Sequence, residues 1–424
     1  MKKNAKYIDR PLYLRMLSNR RENGEIKIIT GPRRCGKSWL LKHLYKDFLI
    51  DNGVSPENII AISLDQDDVL DYDDLTDVKQ LKSYLHQRIK DEESMYYLFL
   101  DEVQEIDGFE KLVNSFNARA NVDVYITGSN SKFLSSDIRT IFRGRGDEIR
   151  VWPLSFKEFS AGRNESISEL WKEYYTFGGM PALCNHEAPE QKVKYLRQLC
   201  AKTYIDDVLE RNQIRNRVAL ESLVDALCSA IGSLTNASRV AAMLWDKQKL
   251  KIDPETANKY IKALENAFLF EGAQRYNIKG NQYYDSIQKY YAGDIGLRNA
   301  RLKFRQQEIS HIMENIIYTE LRIRGYLVDV GVVEVREQKA GVSRLTRYEI
   351  DFIATNGISK YYVQSAYMIN DEEKLRQETN SFKRIGDSFT KVLIVGDDIA
   401  TYTDENGYVH LGLFQFLLND DILN

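Results

Sequence analysis

With 424 residues, the chain is too long for one ordinary domain, and roughly two to four are expected. Hydrophobic residues at 43%, charged residues at 29% and only 7 prolines exclude a chain of long disordered linkers, and no apolar run is long enough to span a bilayer. A net charge of −3 excludes a global basic footprint, so any nucleic-acid contact has to come from a local patch.

The N-terminus MKKNAKYIDR starts basic, but no apolar h-region follows and no secretory signal is expected. The 4 cysteines (Cys35, Cys184, Cys200, Cys228) lack metal spacing, and the 5 histidines form no cluster. The expectation is a cytoplasmic protein in a reducing compartment, without zinc and without a membrane partner.

Residues 1–155 alternate strands and helices. Strands are expected at Lys27–Thr30, Ile59–Leu64, Tyr97–Leu100, Val124–Thr127 and Ile149–Trp152. The pattern predicts a mostly parallel α/β sheet with a ligand at the C-terminal strand ends. The first of these strands runs into Gly31-Pro32-Arg33-Arg34-Cys35-Gly36-Lys37-Ser38-Trp39, which fits G-x-x-x-x-G-K-[ST], and a helix follows. Gly31 and Gly36 allow backbone angles closed to other residues. The N–H groups of the loop, from Arg33, Arg34 and Cys35 to Trp39, then face phosphate at a helix N-terminus. Lys37 is assigned to the β/γ-phosphates and Ser38 to Mg²⁺. The expected cofactors are ATP and Mg²⁺.

The third strand ends in Asp101-Glu102. Asp101 is assigned to the Mg²⁺ shell and Glu102 to the general base that polarises the attacking water. The fourth strand ends in Thr127-Gly128-Ser129-Asn130. Asn130 is the candidate for orienting that water, with Ser129 behind it. In Arg143-Gly144-Arg145, Arg145 is the candidate for stabilising transition-state charge, in cis or from a neighbouring subunit; a basic surface loop is the competing reading. The acid run from Asp65 to Asp74 lacks the glycine and glutamate of an EF-hand and reads as a solvated loop.

Beyond Phe159 the strands stop. Leu196, Cys200, Tyr204 and Val208 share a helix face at i+4 spacing, and Gly178-Gly179-Met180-Pro181 marks a turn, so 156–232 is expected to be a helical subdomain. In 233–300, a helix over Ser238–Trp245 precedes the Asp253-Pro254-Glu255 helix start. Tyr260, Ile261, Leu264 and Phe268 share the inner face of that second helix, with Thr256, Asn258, Lys259 and Lys262 off it. A hairpin follows, and the order suggests a winged helix for DNA or for protein contacts. In 301–424, a helix carrying Glu314 and Glu320 precedes a strand over Tyr326–Val333 and a strand pair turning at Asn356-Gly357.

The phosphate-loop pieces together resemble the AAA+ ATPases. No Asn-Lys-x-Asp motif is evident, which disfavours a GTPase, and the length argues against a small-molecule kinase. The stretches GPRRCGKS, FLDEVQ, TGSNSKFLSS, WPLSFKEF, FGGMPAL, YIDDVLERN, KYYAGDIGLRNA and YEIDFIA run in order along nearly the whole chain. They resemble prokaryotic AAA+ ATPases that carry a winged helix and a C-terminal domain of uncharacterised function. The resemblance implies an α/β fold: a P-loop core at 1–155, a helical subdomain at 156–232, a winged helix at 233–300 and a restriction-endonuclease-like α/β domain at 301–424. Active nucleases of that fold use an acid, then (D/E)-x-K on the next strand. Glu314 and Asp351 fit the acids, with Glu349 nearby, but the expected (D/E)-x-K reads Gln364-Ser365-Ala366. Lys360 or another lysine would have to reach in. The expectation is therefore an ATP-driven switch or motor acting on DNA, with a nuclease-like frame that does not cut. The alternatives are an ATP-gated nuclease and a protein-interaction ATPase with no nucleic-acid role. Double-stranded DNA, a protein partner and a homo-oligomer all stay open.

Overall fold

The computed structural model describes residues 8–64, 77–128, 142, 144–339 and 342–423. Two compact units divide the chain: residues 1–153 with 266–268, and residues 154–265 with 269–424.

Among the described residues the first unit is built on five strands: β1 Ile26–Thr30, β2 Ile59–Ser63, β3 Tyr96–Asp101, β4 Val122–Thr127 and β5 Gly146–Arg150. They form one sheet in the order β2-β3-β4-β1-β5, every pair parallel. Side chains alternate across a strand, so a sheet covered on both faces needs continuous apolar runs. Leu98 and Leu100 of β3 face one core with Leu81, Leu85, Leu112 and Phe116 from the helices Val78–Arg88 and Phe109–Asn117. Tyr97 and Phe99 face the other, with Leu40, Leu41 and Tyr45 from the helical run that starts at Lys37. Lys27, fully buried in β1, is paired with Asp123 of β4, and Tyr125 Oη donates to the same carboxylate at 2.7 Å. That ion pair lies at the N-terminal end of the sheet, where both charges are satisfied internally.

Among the described residues the second unit holds nine strands: β6 Leu234–Thr235, β7 Phe270–Asn277, β8 Gln282–Ala292, β9 Leu327–Lys339, β10 Val342–Thr355, β11 Lys360–Ala366, β12 Thr390–Val395, β13 Tyr402–Thr403 and β14 Val409–Gly412. They form one sheet in the order β13-β14-β12-β11-β10-β9-β7-β8-β6. The helices Ala237–Gln248 and Pro254–Asn266 and the hairpin β7–β8 occupy the segment read as helix, helix, hairpin. The expected division at residue 300, however, falls inside one sheet. β7 pairs in parallel with β9 through Arg275↔Val330, Tyr276↔Gly331 and Asn277↔Val332. The hairpin therefore extends the C-terminal strands and does not stand off as a free wing. β10 and β11 pair antiparallel up to Thr355↔Lys360, with Asn356 Oδ1 accepting Ser359 N–H at 2.9 Å in the turn between them.

Leu196, Cys200, Tyr204 and Val208 are all buried. On an α-helix, i+4 spacing drifts by about 40° per step. Here the stretch Leu199–Ile205 is π-helical, and its wider turns offset the drift.

The motifs FGGMPAL and GDIGLRNA meet backbone to backbone. The helix Ile167–Phe177 stops at Gly178, whose φ is +76°. A Cβ on Gly296 would lie 1.8 Å from the Phe177 carbonyl oxygen. Asp294 bridges the two segments, accepting Gly179 N–H at 2.8 Å and capping the helix Ile295–Arg301 through Leu297 N–H at 2.9 Å.

Candidate functional site

The loop after β1 is held open by its backbone. Gly31 has φ +139°, and a Cβ there would lie 2.1 Å from the Val151 carbonyl oxygen. Gly36 is also left-handed, and so is Arg34, at φ +62°. The helical run Lys37–Trp39, Leu40–Tyr45 and Lys46–Asp51 leaves the loop, its middle part π-helical. Such widened turns cluster at functional sites. Lys37 is buried, and its Nζ donates to the carbonyls of Gly31 at 3.0 Å and Pro32 at 2.9 Å. The ammonium thus lies in the concavity of its own loop, where an anionic phosphate oxygen would outcompete two neutral carbonyls.

Arg10, buried beside the ring of Tyr13, clamps this loop from outside. It donates to the Cys35 carbonyl at 3.1 Å and the Trp152 carbonyl at 2.9 Å. Nothing in the sequence pattern marks it. The Cys35 thiol is fully buried and donates to the Val151 carbonyl at 3.3 Å, and burial pushes its pKa up. Cys35 therefore packs the loop and brings its backbone to the site, not a thiolate. Arg33 is half-buried and Arg34 exposed. Trp39 lies against His43, ring centroids 4.0 Å apart.

Asp101 gathers the rest. Its Oδ1 accepts Ser38 Oγ–H at 3.0 Å and Thr127 Oγ1–H at 2.5 Å. Its Oδ2 lies 2.8 Å from Lys42 Nζ, which also bonds Ser63 Oγ. A hydroxyl and a carboxylate oxygen at this spacing are the hard donors that Mg²⁺ takes. Glu102 follows in the left-handed region, φ +55° and ψ 50°. Its N–H donates to Thr127 Oγ1 at 3.0 Å, and its Oε2 accepts from Gln104 Nε2 at 2.5 Å. A non-glycine residue in that conformation is strained, and here Thr127 holds it. Thr127 thus fixes both acids at once. It ends β4, three positions before Asn130, the residue that the sequence offers for orienting the water. Lys42 was legible as the i+4 neighbour of Ser38.

Gly31, Gly36, Lys37, Ser38, Asp101 and Glu102 are brought to one end of the sheet. Asn130, Ser129 and Arg143 lie outside the described residues, as do the acids from Asp65 to Asp74. Arg145 is not brought there. It precedes β5, whose Gly146 pairs with Ile26 at the start of β1, and its carbonyl accepts Ile26 N–H at 2.7 Å. The phosphate loop leaves the other end of β1, roughly 15 Å away at the rise of a parallel strand. An action of Arg145 in cis is therefore corrected by the parallel register.

A family profile described as an AAA domain matches residues 23–160, and a profile described as a domain of unknown function matches residues 168–308. An uncharacterized protein of Haemophilus influenzae is 32% identical over 394 residues, covering 92% of this chain and 93% of its own. The chain belongs to the same family, of prokaryotic AAA+ proteins. A second uncharacterized relative, MJ1544 of Methanocaldococcus jannaschii, is 30% identical across 95% of this chain and 87% of its own. Among solved structures, the Aeropyrum pernix ORC1 protein in complex with DNA is similar at 12% identity and a TM-score of 0.29, over 70% of this chain and 93% of that one. At that score the likeness carries no further weight. Among the described residues of the AAA+ protein, no helix is long and apolar enough to cross a membrane.

The second unit holds another charged cluster. Glu314 lies on the helix Ile309–Ile323 and Asp351 at a register shift of β10, where a bulge re-aims side chains. Lys360, the lysine named as able to reach in, lies over the rings of Tyr362 and Phe389 instead. Lys289 of β8 reaches in. Its Nζ is 2.9 Å from Glu314 Oε1, 2.9 Å from Glu349 Oε1 and 3.5 Å from Asp351 Oδ1. Tyr291 Oη donates to Glu314 Oε1 at 2.8 Å, and Ser365 N–H to Asp351 Oδ2 at 2.9 Å. Burial, reinforced by Asp351, pushes Glu314 up to about 7. A lysine inside the apolar run Lys289-Tyr290-Tyr291-Ala292 was the available signal: an ammonium on a buried strand needs acids.

Proposed function

We propose that this protein binds ATP with Mg²⁺ at the phosphate loop, hydrolyses it, and uses the change of nucleotide state as a cytoplasmic switch or motor working on DNA. The observation that carries the nucleotide reading is Asp101. Ser38 and Thr127 converge on one of its carboxylate oxygens, with Glu102 the next residue and Lys37 on the adjoining loop. Lys37 would hold the β/γ-phosphates, and Ser38 with Asp101 the metal. Magnesium would supply charge neutralisation on the phosphate oxygens. Glu102 would take the proton of the attacking water, its carboxylate aimed by Gln104 and its backbone by Thr127. A role for Arg145 at the γ-phosphate is open only to a neighbouring subunit of a homo-oligomer.

The DNA reading rests on the helix Pro254–Asn266, where Asn258, Lys259 and Lys262 are exposed. Both lysines are paired along the helix, Lys259 with Glu255 at 2.9 Å and Lys262 with Glu265 at 2.8 Å. Surface pairs of this kind are worth less than about 1 kcal/mol and yield readily to phosphate. The same pairing leaves the face near neutral, and Trp245 is half exposed beside it in sequence. That favours a second reading, a protein partner, because exposed tryptophan anchors protein contacts.

Turnover of ATP at low salt, with and without double-stranded DNA, separates the two. The expected result is stimulation of several-fold that fades as salt rises, because phosphate contacts release counterions. A rate indifferent to DNA at low salt would reject the DNA reading and leave the protein partner.

A further inference from the structure

The Lys289 cluster has the make-up of a cation site: three carboxylates, from the helix Ile309–Ile323 and from β10, aimed at one point. A nuclease of the resembled fold would keep a divalent metal at such a point. The residues present do not fit one as they stand. The carboxylate oxygens are 2.9, 2.9 and 3.5 Å from Lys289 Nζ, spacings of an ammonium held by acids. A magnesium ion draws its oxygens in to about 2.0–2.1 Å. Among the described residues no three acid, histidine or cysteine side chains are grouped to hold a metal ion.

We infer that Lys289 is a built-in replacement for the metal: its ammonium occupies the cation position among Glu314, Glu349 and Asp351, and this part of the chain works without a bound divalent ion.

The exchange is well supported physically. The Lys289 side chain is 5% exposed, and those of Glu314 and Asp351 are 10% and 11% exposed, so the charges depend on one another for solvation. Tyr291 and the Ser365 N–H take further carboxylate lone pairs. A lysine can neutralise acids as a metal does, but it cannot bind a phosphate oxygen and a water together as a Lewis acid. It also offers no entry to a metal while its own charge repels one. The substitution explains how the sheet tolerates Ala366 in the third strand of the resembled pattern. The lysine of this site comes from β8 and serves the acids, not a water. Glu349 is 34% exposed and gives the cluster an opening to solvent, so a cation could enter if the ammonium were removed.

The test is Mn²⁺ binding, followed by its electron paramagnetic resonance signal, on the full nucleotide-free chain stripped with EDTA. The wild-type chain is expected to show no site that is lost on Asp351→Asn. Lys289→Met keeps the aliphatic stem and removes the charge, and is expected to gain one Mn²⁺ per chain at least tenfold tighter than any wild-type site. Lys289→Met with Asp351→Asn is expected to lose it again, which separates this ion from one at Asp101. Should Lys289→Met be unfolded in EDTA, Mn²⁺ is expected to restore its cooperative thermal transition. The inference is overturned by a wild-type Mn²⁺ site that needs Asp351, by a folded Lys289→Met chain that gains no Mn²⁺ site, or by one that stays unfolded in saturating Mn²⁺. Nicking of supercoiled plasmid by the wild-type chain in Mn²⁺, abolished by Asp351→Asn, overturns it equally.

Discussion

Replacing Lys37 with alanine is expected to lower nucleotide affinity by roughly 100-fold or more while leaving the protein folded. The ammonium is buried and already makes two hydrogen bonds to loop carbonyls. Both of those partners are neutral, so the bonds to phosphate would be the stronger ones. Each hydrogen bond to a charged group is worth about 1.5–3 kcal/mol, and about 1.4 kcal/mol is a factor of ten. Two such bonds account for the predicted loss. The loop itself has other supports: Arg10 on the Cys35 and Trp152 carbonyls, and Cys35 on the Val151 carbonyl. Titration with a fluorescent ATP analogue, with thermal unfolding alongside, checks both halves. Unchanged affinity would show that Lys37 is not aimed at phosphate.

The second large effect concerns fold. Gly296→Ala is expected to lower the melting temperature by roughly 2–12 °C, the shift that an overpacking cost of about 1–3 kcal/mol gives at about 2–4 °C per kcal/mol in a unit of this size. The new methyl would meet backbone, not a flexible side chain: the Phe177 carbonyl oxygen at 1.8 Å and its carbon at 2.3 Å. Relief would pull Asp294 off Gly179 N–H, and burial already holds that carboxyl up at about 6. Differential scanning calorimetry measures the shift. An unaltered transition would mean that the two motifs are not pressed together in solution.

These two residues show what was legible. The phosphate loop could be read because its chemistry is local: strand, Gly31, Gly36, Lys37 and Ser38 are contiguous, and the angles they need are available only in that order. Asp101 and Glu102 were legible for a similar reason, as acids ending an apolar strand. What could not be read was anything fixed by register or by distant packing. Arg145 follows Thr127-Gly128-Ser129-Asn130 closely in sequence, but the parallel pairing of β5 with β1 sends it to the far end of the sheet. The close approach of Gly296 and Phe177 joins residues 119 positions apart (296 less 177), and no periodicity announces it. Of the strands after residue 300 in the C-terminal sheet, only β9, β10 and β11 were foreseen. Its extension through β7 was not, because a parallel partner in another segment leaves no mark on either strand. Lys289 belongs to the same class: its acids lie on a later helix and a later strand.

Hydrolysis of ATP with Glu102 as the base can be checked by steady-state phosphate release in Mg²⁺ from the wild-type chain and from Glu102→Gln. The wild-type chain is expected to turn over, and the Glu102→Gln chain to bind the nucleotide as tightly but turn it over roughly 10²–10⁴-fold more slowly. A Glu102→Gln chain that hydrolyses ATP at the wild-type rate, or a wild-type chain that binds ATP and never cleaves it, would rule out hydrolysis with Glu102 as the base.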